Sequence, residues 1–88
     1  SGNMRVIKSD TKGSLMKLSP KEHNVLTLIA CGFTDKEVAL KLNISIRTVQ
    51  THIASILLKL KARNRVNAVV VYMHLNPKWK IAERYVVV

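Results

Sequence analysis

Between Asn43 and His52 the chain reads NISIRTVQTH, a run rich in hydrogen-bonding side chains and free of acids. Ser, Thr and Arg bond phosphate oxygens, and Gln and Arg reach the edges of bases. A Thr methyl or an Ala can rest on the 5-methyl group of thymine. The chemistry on offer is recognition of a polyanion with readable base edges. Val49 and Ile53 return to apolar character at a spacing of four. The polar residues therefore share the outer side of a helix whose inner side belongs to a core.

The charge of the whole chain agrees with that partner. Fifteen Lys and Arg against five Asp and Glu give a net charge of +10 over 88 residues. No acid occurs from Val38 to Ala82, where Lys41, Arg47, Lys59, Lys61, Arg63, Arg65, Lys78 and Lys80 all fall. A balance this basic is an argument about partners rather than fold, and polyanions come first.

Other chemistries find little support. No nucleophile and base pair, carboxylate pair or phosphate-binding loop stands out, so no catalytic residue is assigned and the chain does not read as an enzyme. His23, His52 and His74 fall on three different helices without a second ligand at metal spacing. They are read as surface or locally bonded histidines, and neither a metal nor a cofactor is expected. Cys31, the only cysteine, reads as a small core or boundary residue and excludes an intrachain disulfide. No apolar run has the length of a membrane span or the form of a secretory signal, so a cytoplasmic protein is expected.

The elements that must hold the polar run can be read from their caps. Ser19, Pro20 and Glu22 form a capping box ahead of a helix over about 20–31, with Val25, Leu28 and Ile29 inward and Gly32 as a left-handed stop. Thr34 and Glu37 repeat the device for a short second helix that turns in Val38, Ala39 and Leu42 and stops at Asn43. Ser45 caps a third helix, about 46–60, with Val49, Ile53, Ile56 and Leu60 inward and Leu57 widening the stripe. Arg47, Thr51, Ala54 and Leu58 then face outward, flanked by Thr48, Gln50 and Ser55.

Asn64 can cap a fourth helix that ends before Pro77. If Ala68, Val69 and Tyr72 pack on the domain, Val66, Val70 and Met73 form a second apolar stripe that one copy alone leaves in water. The expected architecture is all-α, four helices with a helix-turn-helix, over residues 18–76. Residues 1–17 read as a tag remnant and a flexible linker or arm, and 77–88 as a tail without an assignable element.

The stretch from Leu18 to Val70 also resembles the DNA-binding domain of the LuxR/FixJ-type, or GerE-like, family along its full length. The likeness rests on LSPKE at the first helix, KEVA in the second, IS followed by TVQTH at the third, KL at its end, and Arg65 and Ala68 in the fourth. It implies a four-helix domain that regulates transcription, usually as a dimer fixed through the last helix. Such a domain is commonly joined to a phosphorylatable receiver or a small-ligand sensor.

Carried onto this chain, the family's base-reading positions fall on Gln50, Thr51 and Ala54, with Arg47 able to serve bases or backbone. Its backbone-contacting positions fall on Lys36, Ser45, Thr48 and Lys59. Several relatives have a basic residue where this chain has Gln50 and Ala54, which turns the expected base preference toward adenine or apolar contact. Val66, Val70 and Met73 are the expected homodimer contact. Double-stranded DNA is the expected partner, with RNA polymerase a further one and no membrane. Two other readings share these features: a protein-interaction module with weak DNA binding, and the promoter-binding region of a sigma factor.

Overall fold

The computed structural model describes residues 17–79, which carry four helices and no strand. These are α1 (Pro20–Ala30), α2 (Asp35–Leu42), α3 (Ile46–Leu60) and α4 (Arg65–Leu75). The arm before Lys17 and the tail after Trp79 lie outside the described residues.

Each helix starts where its cap residue can take up otherwise unpaired amides. Ser19 and Glu22 exchange side-chain to backbone hydrogen bonds at 3.1 and 2.9 Å, and Thr34 and Glu37 do so at 3.2 and 2.8 Å. Ser45 accepts from the Thr48 amide at 3.0 Å. Asn64 accepts from the Asn67 amide, and the Asn67 side chain reaches back to accept from the Arg63 amide. All four caps named from the sequence act as caps.

The first three helices end in one common way. Gly32, Asn43 and Lys61 each take a left-handed backbone with φ of 103°, 57° and 55°. The following amides of Phe33, Ile44 and Ala62 then bond back to the carbonyls of Leu28, Ala39 and Leu57. This pairing satisfies carbonyls that a helix end leaves open. Gly32 and Asn43 suit the conformation. Lys61 does not, and its backbone carries the left-handed penalty of a residue with a Cβ.

The core lies where α3 crosses the other three helices. Val25, Leu26, Val38, Val49 and Ile56 are all but removed from solvent, with Leu28, Ala39, Ile53 and Leu60 around them. Leu26 joins the inward stripe beside Val25 because α1 is covered by α3 on one flank and α4 on another. Ile29 and Leu42, expected inward, are half-buried at the rim. On α4 only Ala68 is fully enclosed, and the absence of a long side chain there lets α4 lie close against the bundle.

Candidate nucleic-acid interface

The turn Asn43, Ile44, Ser45 sets α3 across α2, and the outer side of α3 is left to solvent. Arg47, Gln50, Thr51 and Ala54 are exposed together on that side. They fall within eight residues, about 10 Å of helix from first to last, a length that the roughly 12 Å width of a major groove can admit. The side chains of Arg47 and Gln50 make no hydrogen bond or ion pair among the described residues and keep their full donor sets for a partner. Thr51 differs, because its hydroxyl donates to the Arg47 carbonyl at 3.0 Å.

At the start of α3 the hydroxyls of Ser45 and Thr48 lie 2.9 Å apart, and Ser45 also holds the Thr48 amide. Ser45 is thus a cap before it is anything else. It stands at the positive end of a fifteen-residue helix, where amides and dipole together favour an anion such as phosphate. Lys36 is exposed on α2, near that helix's own start.

Lys59 is placed less simply than the sequence implied. Its ammonium lies 2.7 Å from Glu22 Oε1, while the Ser55 hydroxyl donates to Glu22 Oε2 at 2.7 Å. Glu22 is buried, and it also accepts from the Ser19 amide. Burial alone works to raise the pKa of its carboxyl. The hydrogen bonds from Lys59, Ser19 and Ser55 and the charge of Lys59 outweigh that effect and hold it at about 2. Glu22 is therefore more than half of a capping box. It ties the second half of α3 to the first turn of α1, and Ser55 turns inward to it. The pairing of Ser55 and Lys59 one helical turn apart, opposite a lone acid, was the available sequence signal.

A second cross-link steadies α2 against α4. Arg65 Nη1 and Nη2 approach the two oxygens of Asp35 at 2.6 and 3.4 Å. The hydrogen bond to Asp35 raises the guanidinium pKa against the opposing effect of burial.

On α4 the split between two stripes is as expected. Ala68 is enclosed and Val69 and Tyr72 are half-buried, whereas Val66, Val70 and Met73 are 71%, 57% and 50% exposed. Val66 and Val70 also line a cavity of about 360 Å³ with Ile29, Phe33 and Val69. At the other end of α4, Trp79 packs edge-on against Tyr72 and His23 and donates from Nε1 to Thr27 Oγ1 at 3.0 Å. His23 Nδ1 in turn lies 2.9 Å from the Tyr72 hydroxyl. The start of the tail is thereby part of the domain, a contact that no sequence periodicity announced.

Two short helices joined by a three-residue turn, the second showing an acid-free polar face, define a helix-turn-helix DNA-binding domain. The pattern of the GerE group, bacterial regulatory proteins of the luxR family, matches residues 16–72, and the chain belongs to that family. It is 35% identical over 68 residues to the nitrate/nitrite response regulator protein NarL of Escherichia coli K12, covering 77% of this chain and 32% of that protein. It is 42% identical over 53 residues to the response regulator protein VraR of Staphylococcus aureus strain Mu3, covering 60% of this chain and 25% of that protein. The chain thus spans a quarter to a third of the length of these relatives. Its family makes it a DNA-binding domain of transcription regulation. No described helix is long and apolar enough to cross a membrane.

Proposed function

We propose that the chain binds duplex DNA sequence-specifically as a homodimer, with α3 of each copy in a major groove. The observation that carries this reading is the outer face of α3, where Arg47, Gln50, Thr51 and Ala54 stand exposed together and no acid opposes a phosphate backbone. Gln50, Thr51 and Ala54 read base edges, and Arg47 works at their border with the backbone. Lys36, Ser45 and Thr48 hold phosphates. Lys59 adds a phosphate contact with the ammonium protons not engaged by Glu22. Val66, Val70 and Met73 meet their own copies across a two-fold axis, which spaces two recognition helices about one helical turn apart. Like the response regulators it resembles, the chain then serves as the DNA-reading part of a signal-controlled, cytoplasmic regulator that acts on RNA polymerase at a promoter.

The test is selection of bound sequences from a random duplex pool, followed by titration of the selected and an unrelated duplex. A two-half-site consensus bound at least 100-fold more tightly than the unrelated duplex is the expected result. Equal binding of both duplexes overturns the reading.

A further inference from the structure

Past its first turn, none of the exposed positions of α3 carries an ionised side chain, Lys59 being half-buried against Glu22. The exposed positions from Gln50 to Leu58 are Gln50, Thr51, Ala54 and Leu58. A guanine is best read by an Arg or Lys reaching O6 and N7 together, and no such group stands at the centre of this face. Gln50 has the amide for adenine, its oxygen accepting from N6 and its nitrogen donating to N7. Thr51 has its one hydroxyl proton committed to the Arg47 carbonyl, so what it presents outward is a methyl group and an oxygen lone pair. Ala54 presents a methyl group alone.

We infer that this chain reads A·T pairs, and that it does so chiefly through the 5-methyl groups of thymines seated against Thr51 and Ala54. The inference rests on the major-groove placement of α3 proposed above and goes further by naming which base pairs that placement selects. Spacing supports it. Residues three apart on a helix have Cβ atoms about 5–6 Å apart. Successive base pairs are about 3.4 Å apart along each strand. Two methyl-bearing side chains at that separation face two neighbouring pairs, with Gln50 beside them for the adenine of an adjoining pair.

Uracil offers the same hydrogen-bonding edge as thymine and lacks only the 5-methyl group, so exchange of one for the other isolates the contact. The probe is the duplex selected from the random pool, resynthesised with 2′-deoxyuridine at each thymine position in turn and titrated by fluorescence anisotropy. Two neighbouring positions per half-site are expected to lose about 4-fold in affinity, the worth of one buried methyl-sized group. Replacing the same position in both half-sites should lose about 15-fold, since the two contacts add. Thr51→Ser keeps the hydroxyl and its bond to Arg47 while removing the methyl. Because both copies carry the change, it should lose about as much on the thymine duplex as the wild type loses with uracil at that position in both half-sites, and be indifferent to uracil there.

If the selected duplex is preferred over an unrelated one but uracil at every position leaves affinity unchanged, thymine reading is wrong and the groove placement stands. Selection of a core of G·C pairs only has the same meaning. If no duplex is preferred, the groove placement itself fails and this inference fails with it.

Discussion

Lys59 Nζ sits 2.7 Å from Glu22 Oε1, so the last-turn cation of α3 is fastened to the first turn of α1. The link joins α3 to the scaffold by a buried carboxylate that also carries the Ser19 and Ser55 bonds. Breaking a buried pair from one side costs more than the pair's net worth, because the remaining groups lose their partner without regaining water. The effects of Glu22 should therefore appear in stability first and in DNA affinity second.

Glu22→Gln is expected to lower stability by roughly 1–3 kcal/mol, since the amide brings two donors to a site where three donors already converge. In a domain this small each kcal/mol corresponds to about 4–8 °C in Tm. Calorimetry at neutral pH checks the loss, and an unchanged Tm would show that the network carries no stability.

The same carboxyl predicts an acid transition. Its folded pKa of about 2 lies below the ordinary value of 4.5, so its contribution is fully present above about 4.5 and is lost as pH falls toward 2. The sign follows from linkage: the unfolded state binds the proton first, and stability falls as acid is added. The wild type should lose on the order of 3 kcal/mol across that window from this group. Urea denaturation between pH 5 and pH 2 should show a shallower decline for Glu22→Gln. Parallel curves would assign the acid sensitivity to other groups.

The fold was legible in the sequence because its instructions are local. Ser19, Thr34, Ser45 and Asn64 each sit next to the helix they start, and Val49, Ile53, Ile56 and Leu60 announce one face by spacing alone. What stayed hidden depends on groups far apart in the chain. Glu22 reads as a capping residue because its partner in that role is three residues away, while Ser55 and Lys59 are more than thirty away. Lys61 reads as a cation, and nothing in its type forecasts the left-handed backbone that ends α3. Trp79 lacks any periodic context, so its seat on Thr27 and Tyr72 follows only from the path of the chain after Pro77. On the outer side of α3, the exposure of Arg47, Gln50, Thr51 and Ala54 was legible, but the inward bond of Thr51 was not.

Lys61→Gly should stabilise the domain by about 0.5–1 kcal/mol, because glycine takes the left-handed angle without the Cβ clash, offset by its greater freedom when unfolded. Denaturant midpoints measure the gain. A loss would mean that the Lys61 side chain supports the fold in a way its backbone does not reveal.

On DNA, roughly four to eight phosphates engaged per dimer give a slope of about −4 to −7 for log affinity against log salt, by counterion release. Arg47→Ala is expected to weaken all duplexes about equally and to reduce that slope, whereas Gln50→Ala should cost roughly 1–3 kcal/mol and relax preference at one position. Titrations of matched and mismatched duplexes at several salt concentrations separate the two. A uniform loss for Gln50→Ala would remove it from base reading.

The last expectation concerns the exposed stripe of α4. Val66, Val70 and Met73 leave a long apolar strip in water on a helix already anchored from its other side by Ala68, Val69 and Tyr72. A two-fold contact along that strip is self-complementary, so a charge at its centre is introduced twice and faces its own copy. Val70→Glu should therefore lower dimer content sharply. It should spare the fold, because Val70 is more than half exposed and makes no part of the core. DNA affinity should fall with it, since two recognition helices no longer held about one helical turn apart must bind their half-sites separately. Sedimentation of wild type and mutant over a range of concentrations, alone and with a two-half-site duplex, measures both effects, with circular dichroism as the check on folding. A folded mutant that binds that duplex as tightly as the wild type would show that α4 is not the dimer contact.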